Sequence, residues 1–164
     1  MTVRAGLQFA MDTGFAGHKL GGFYRSLYAP GDGQWHKDVH AMARAGLYRL
    51  LCGFGGASVA LDLPYRAWSN PTGPWRAADM DSQSAGGHCV PITGYDQSWI
   101  YCMTWGQVVA MDWAFLASFS RELYFAYAQD WLTPTGSADL NLSMPEVSDT
   151  FAMYGISEIM PVVP

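Results

Sequence analysis

Gly87-His88-Cys89 sets an imidazole beside a thiol, two side chains that can cooperate in nucleophilic acyl transfer. A cysteine attacks as its thiolate, and an imidazole at ~2.6–3.2 Å takes or holds the proton. His88 is the candidate catalytic base, and Cys52, Cys89 and Cys102 are the candidate thiols. Strand alternation separates them, because Cys89 is adjacent to His88 and must point to the opposite face. If a tight turn pairs Tyr95 with Ser98, Val90 faces Met103 and Pro91 faces Cys102. Cys89 and Cys102 then share the face away from His88, and Met103 shares the His88 face. Cys52 ends an apolar helix, where a free cysteine packs as a small hydrophobe. No thiolate–imidazolium pair is expected, and His88 reads as a hydrogen-bonded residue at the mouth of a groove. Cys89 and Cys102 would be diagonal neighbours ~7–8 Å apart, too far for an unstrained bridge, so no disulfide is expected.

The remaining chemical candidates carry less. His36 and His40 stand i, i+4 on a helix and could share a metal, but no third ligand accompanies them and a solvated helix face is expected. Asp79 and Asp81 supply too few oxygens for calcium. Gly53-Phe54-Gly55-Gly56 precedes a strand rather than a helix, which argues against a phosphate loop. Three cysteines without C-x-x-C fit neither a disulfide framework nor a zinc site. The expectation is no cofactor and no metal.

Those residues are positioned by an alternation of helical and strand patterns. Val3, Leu7, Ala10 and Met11 repeat at helical spacing, with Gly14 as the stop. His18 to Tyr28 is compatible with a strand or a loop, and Ala29 to Gly33 is a turn cluster. Val39, Met42, Ala43, Gly46, Leu47, Leu50 and Leu51 form one face of a helix from Trp35 to Leu51. Ala57, Val59, Leu61 and Leu63 alternate as a strand that Pro64 stops. Ser69 to Gly87 reads as a long surface loop. His88 to Tyr95 and Trp99 to Thr104 read as strands joined at Asp96-Gln97, followed by a strand over Gln107 to Met111. Asp112 should cap a helix from Trp113 to Ser120, and Leu123, Phe125 and Tyr127 alternate as a last strand. A short helix near Ser148 to Tyr154 is expected in the proline-containing tail. The fold class is α+β with a mainly antiparallel sheet and packed helices.

Half of the 164 residues are hydrophobic, which excludes a disordered chain. Only 14% are charged, against ~25% in typical domains, while aromatic residues reach 15%. With 9 basic and 14 acidic residues the net charge is −5, so no basic face exists to displace phosphate counterions, and nucleic-acid binding is not expected. No apolar run reaches the ~18 residues of a membrane span, and no signal-peptide pattern opens the sequence. A soluble protein not secreted by a cleaved signal is expected. Seven Trp, nine Tyr, eight Phe and nine Met against so few charges leave apolar surface uncovered. Such residues concentrate at the centres of protein interfaces, so protein partners or a homo-oligomer are expected.

Gly86-Gly87-His88-Cys89-Val90-Pro91-Ile92-Thr93-Gly94-Tyr95-Asp96, followed by Trp99-Ile100-Tyr101-Cys102-Met103-Thr104-Trp105-Gly106, resembles the second half of papain-like cysteine peptidases. There a Gly-His opens a strand that ends in Gly-Tyr, and the next strand ends in Asn-Ser-Trp-Gly. More closely, the chain resembles a group of uncharacterised papain-like proteins of actinobacterial and phage genomes. Gly17-His18-Lys19, Gly87-His88, Thr104-Trp105-Gly106 and Asp130-Trp131-Leu132 match their pattern, over roughly Ala5 to Leu132. The resemblance implies a papain-like domain over 1–132, a sheet curved as a partial barrel, a proline-containing extension over 133–164, and His88 at the base position, a vestigial catalytic candidate with no matching Cys nucleophile. It also implies that the N-terminal segment bearing the family's nucleophilic Cys is missing, so the fold would be N-terminally truncated. Met103 stands where the family has the Asn that orients the imidazole, and a thioether cannot hold a tautomer as an amide does.

Two functions follow as expectations. The first is a non-catalytic papain-like module, a structural or protein-interaction component of a phage particle or other assembly. The alternative is a thiol peptidase or amidase that uses His88 with a Cys supplied by another chain. A third reading, a small-molecule or glycan binder using Trp68, Trp75 and Trp105, has no motif behind it.

Overall fold

The computed structural model describes residues 3–25, 51, 56–81 and 83–128. The readings at Ala29 to Gly33, Trp35 to Leu50, Cys52 to Gly55, Asp130 to Leu132 and the tail lie outside these residues. So do His36 and His40.

Helix α1 (Val3–Asp12) buries Ala10 and ends as the spacing predicts. The Thr13 and Gly14 amides both reach the Phe9 carbonyl, and Gly14 takes the left-handed φ of +82°. The strand-or-loop segment resolves as β1 (Leu20–Arg25). Its glycines admit a neighbour, because a Cβ on Gly21 or Gly22 would lie under 3 Å from the Tyr127 ring.

The other strands are β2 (Ala57–Pro64), β3 (Ser84–Tyr95), β4 (Trp99–Thr104), β5 (Gln107–Asp112) and β6 (Ser120–Ala128). They form one six-stranded sheet in the order β1-β6-β2-β3-β4-β5, antiparallel at every pairing. Between β2 and β3 lie the short helix α2 (Tyr65–Ser69) and a single 3-10 turn, Ala77–Asp79. Helix α3 (Trp113–Phe119) links β5 to β6. Asp112 caps it as expected, accepting from the Phe115 amide at 2.6 Å and from the Ala77 amide at 3.2 Å.

The loop read over Ser69 to Gly87 ends earlier than expected, because β3 begins at Ser84, and Tyr65 to Ser69, for which the sequence predicts no element, forms α2. Ser84, Gly86 and Gly87 have little strand propensity of their own. They are held by pairing with Pro64, Leu63 and Asp62 of β2. Asp62 also accepts from Ser84 Oγ and from the Arg121 guanidinium, tying β2, β3 and β6 together on one face.

One face of the sheet carries the core. Val59, Leu61, Leu63, Val90, Ile92, Ile100, Cys102, Val109, Met111, Leu123 and Phe125 are buried there with Leu51, Trp75, Phe115 and Leu116. Each fully buried side chain of this size contributes about 1.5–3 kcal/mol of transfer free energy. Trp75 also seals the β5 edge: its amide donates to the Ala110 carbonyl at 2.8 Å and its carbonyl accepts from the Asp112 amide at 2.9 Å. No helix among the described residues is long and apolar enough to cross a membrane.

Candidate functional site

The β3–β4 pair forms the antiparallel hairpin that the sequence predicts, but its register departs from the expected one. Ile92 pairs with Cys102 and Gly94 with Tyr101, so a bulge falls between Ile92 and Gly94. The inserted residue reverses the face of everything that follows on the partner. His88 shares its face with Val90 and Ile92, which are buried, and across the hairpin with Cys102 and Thr104. Met103 lies on the other face, 50% exposed, beside its β5 partner Val108. The expectation that Met103 sits with His88, and that Cys102 points away from it, is therefore corrected. Alternation was read correctly along each strand. At the turn Tyr95 pairs with Ile100 rather than with Ser98, a shift of two that keeps the faces, and the bulge then exchanges them.

Thr104 takes the place that Met103 was expected to fill. His88 Nε2 and Thr104 Oγ1 are 2.7 Å apart, a hydrogen bond in which the tautomer decides the donor. Thr104 is buried, so its hydroxyl is fixed and the bond is shielded from water. Burial pushes the His88 imidazole below its ordinary pKa, which favours the neutral ring.

Trp105 completes the site. Thr104 and Gln107 are paired, and the two residues between them, Trp105 and Gly106, have φ of +47° and +74°. This is the geometry of a type I′ hairpin turn, which favours Asn-Gly. A tryptophan in the left-handed region costs roughly 1–2 kcal/mol. In this position its indole stacks on His88, with centroids 4.8 Å apart and planes 17° apart. Trp68 from α2 meets Trp105 edge-on at 5.6 Å, and the buried Trp75 does so at 6.0 Å. The left-handed φ of a Trp in a hairpin tip was not legible from residue types. The residue itself was, through Thr104-Trp105-Gly106.

The thiols are placed as follows. Cys89 is on the face opposite His88, as expected, where it is exposed. Desolvation first, and the Glu122 carboxylate second, push its pKa up. Cys102 is fully buried and its thiol is pushed up to about 12 by that burial. Neither is a ready thiolate. Cys52 lies outside the described residues. Asp79 sits in the 3-10 turn, where its carbonyl accepts from Arg66 Nη1 at 2.8 Å. Among the described residues no three His, Cys, Asp or Glu side chains converge to hold a metal ion.

The arrangement can hold a neutral imidazole in a fixed orientation under an aromatic lid. Compared with known proteins, the chain matches no family model, no curated protein and no solved structure.

Proposed function

We propose that this chain is a non-catalytic papain-like module that acts by protein–protein contact, as a structural component of a phage particle or another assembly. The observation that carries the contact role is exposed apolar surface on both sides of the sheet: Trp68 and Trp105 on the His88 side, Met103 and Val108 on the other, all at least 41% exposed. Apolar surface of that kind in a charge-poor chain marks an interaction site. The non-catalytic part is supported by Cys89 lying across the sheet from His88 and by the buried, high-pKa thiol of Cys102. The papain-like part, and with it the virion setting, rests on the sequence resemblance around His88 and Trp105.

A second reading has one observation in its favour. Thr104 fixes Nε2 of a neutral ring, and Nδ1 has no hydrogen-bond partner among the described residues. A base so oriented could serve a thiol brought by another chain, in a peptidase or amidase. Mass spectrometry after exposure to a thiol-reactive peptide probe separates the two. The contact module gives no fast adduct, alone or with its partners. A single fast adduct, lost in His88→Ala, establishes the hydrolase instead.

A further inference from the structure

Trp68 and Trp105 form a right-angled step at the surface, with ring planes at 85° and exposures of 53% and 41%. The step is rigid on one side, because Trp105 is stacked on His88 and braced by the fully buried Trp75. The chain accepts a left-handed φ at Trp105 to build it. Its donors are also open. Trp75 Nε1 donates to the Asn70 carbonyl and Trp113 Nε1 to the Asp96 carbonyl. Among the described residues, Nε1 of Trp68 and of Trp105 has no acceptor.

Two half-exposed indoles at right angles, with unpaired N–H donors, suit an extended proline-containing strand. Its rings pack on aromatic faces, and its carbonyls, which make no internal hydrogen bonds, accept from the indoles. A sugar would need several hydrogen-bonding groups around its stacked face, and here His88 and Thr104 already bond to each other.

The sequence contains two Pro-x-x-Pro runs. Pro71-Thr72-Gly73-Pro74 belongs to the fold, where the Pro71 carbonyl accepts from Gln107 Nε2 at 2.8 Å. Pro161-Val162-Val163-Pro164 follows in the stretch after β6, outside the described residues. A repeat of three residues per turn would put both of its prolines on one edge of a polyproline helix. We infer that the Trp68–Trp105 step is the docking site for the Pro161–Pro164 segment of a second copy of this chain, an inference that rests on the protein-contact reading above.

The test uses the full chain carrying Pro161→Ala and Pro164→Ala as acceptor, titrated with a synthetic peptide of residues 157–164 and followed by tryptophan fluorescence. The expected result is a saturable blue shift. It weakens at least tenfold when both prolines of the peptide are alanine, a control that needs no folded variant, and is lost in Trp68→Ala. In sedimentation velocity the wild-type chain associates and the double-proline variant falls toward the 18.0 kDa monomer. Equal binding of the alanine peptide overturns the inference, as does a soluble oligosaccharide that binds in a Trp68-dependent way while the peptide does not. Loss of tryptophan shielding on truncation after residue 156 in a chain that is monomeric throughout shows docking within one chain, and also overturns it. Association that persists in the double-proline variant removes this inference and leaves the contact reading standing. A wild-type chain that is monomeric at all concentrations removes both.

Discussion

His88 and Thr104 face each other across the β3–β4 hairpin with Nε2 and Oγ1 2.7 Å apart, and this bond, shielded by burial of Thr104, fixes the imidazole. A small polar side chain, one position beyond Met103, thus holds the ring. Thr104→Val keeps the shape and removes the hydroxyl. The expected loss is about 1 kcal/mol, the net worth of one neutral hydrogen bond, together with a changed ratio of the two His88 tautomers. Chemical denaturation gives the first quantity and nitrogen chemical shifts of the imidazole give the second. An unchanged tautomer ratio would show that Thr104 does not orient the ring.

His88 also makes folding sensitive to mild acid. Burial lowers its pKa in the folded protein below the 6.5 of the unfolded chain. Between those two values the unfolded state binds more protons, so stability rises with pH across that window. The contribution is complete above 6.5 and is lost as pH falls toward the folded-state value. The expected outcome is a smaller drop in stability from pH 7.5 to pH 5 in His88→Gln than in wild type, measured by urea midpoints at each pH. Trp105→Asn should act in the same direction. It uncovers the ring, so the His88 pKa moves back up toward 6.5 in an NMR titration. Its stability cost is reduced because asparagine tolerates the left-handed φ that tryptophan occupies at a cost.

The residues that alternate without interruption were legible in the sequence, and the places where pairing departs from alternation were not. Asp112 as a cap, Pro64 as the end of β2, and the strands at Ala57 and Trp99 follow from residue types. The bulge between Ile92 and Gly94 was missed: Gly94 inside the strand is its one local signal, and that signal does not say which way the register shifts. One inserted residue exchanged Met103 for Thr104 beside His88 and moved Cys102 into the core. In the same way Ser84 to Gly87 became strand because β2 offers them partners, a non-local effect. His88 and Trp105 were singled out from the sequence. Their stack depends on a backbone conformation that residue type argues against.

The two described cysteines should differ sharply in reactivity. Cys89 is exposed on one face and Cys102 is fully buried on the other, so they cannot bridge. Under native conditions at pH 8, an alkylating reagent should modify Cys89 slowly, since its pKa is raised, and leave Cys102 untouched. Denaturant should expose Cys102 without any need for reductant. Peptide mapping of the two labelling steps reads this directly. Native labelling of Cys102, or a requirement for reductant, would contradict the register described above.

The sheet face opposite the core gives the last expectation. Met103 and Val108 are direct cross-strand partners in a non-core position, 50% and 59% exposed. Their side chains contribute little to folding, because half of each already meets water. They do contribute to any contact that covers this face, where each buried methylene adds about 0.8 kcal/mol. Replacing them with an oppositely charged pair, Met103→Lys with Val108→Glu, keeps cross-strand attraction while removing the apolar surface. The variant should hold its thermal midpoint within a few degrees and sediment with less self-association than wild type at the same micromolar concentration. If association is unchanged while the midpoint is also unchanged, this face is not part of the contact. The exposed surface that matters is then confined to the tryptophan side of the sheet.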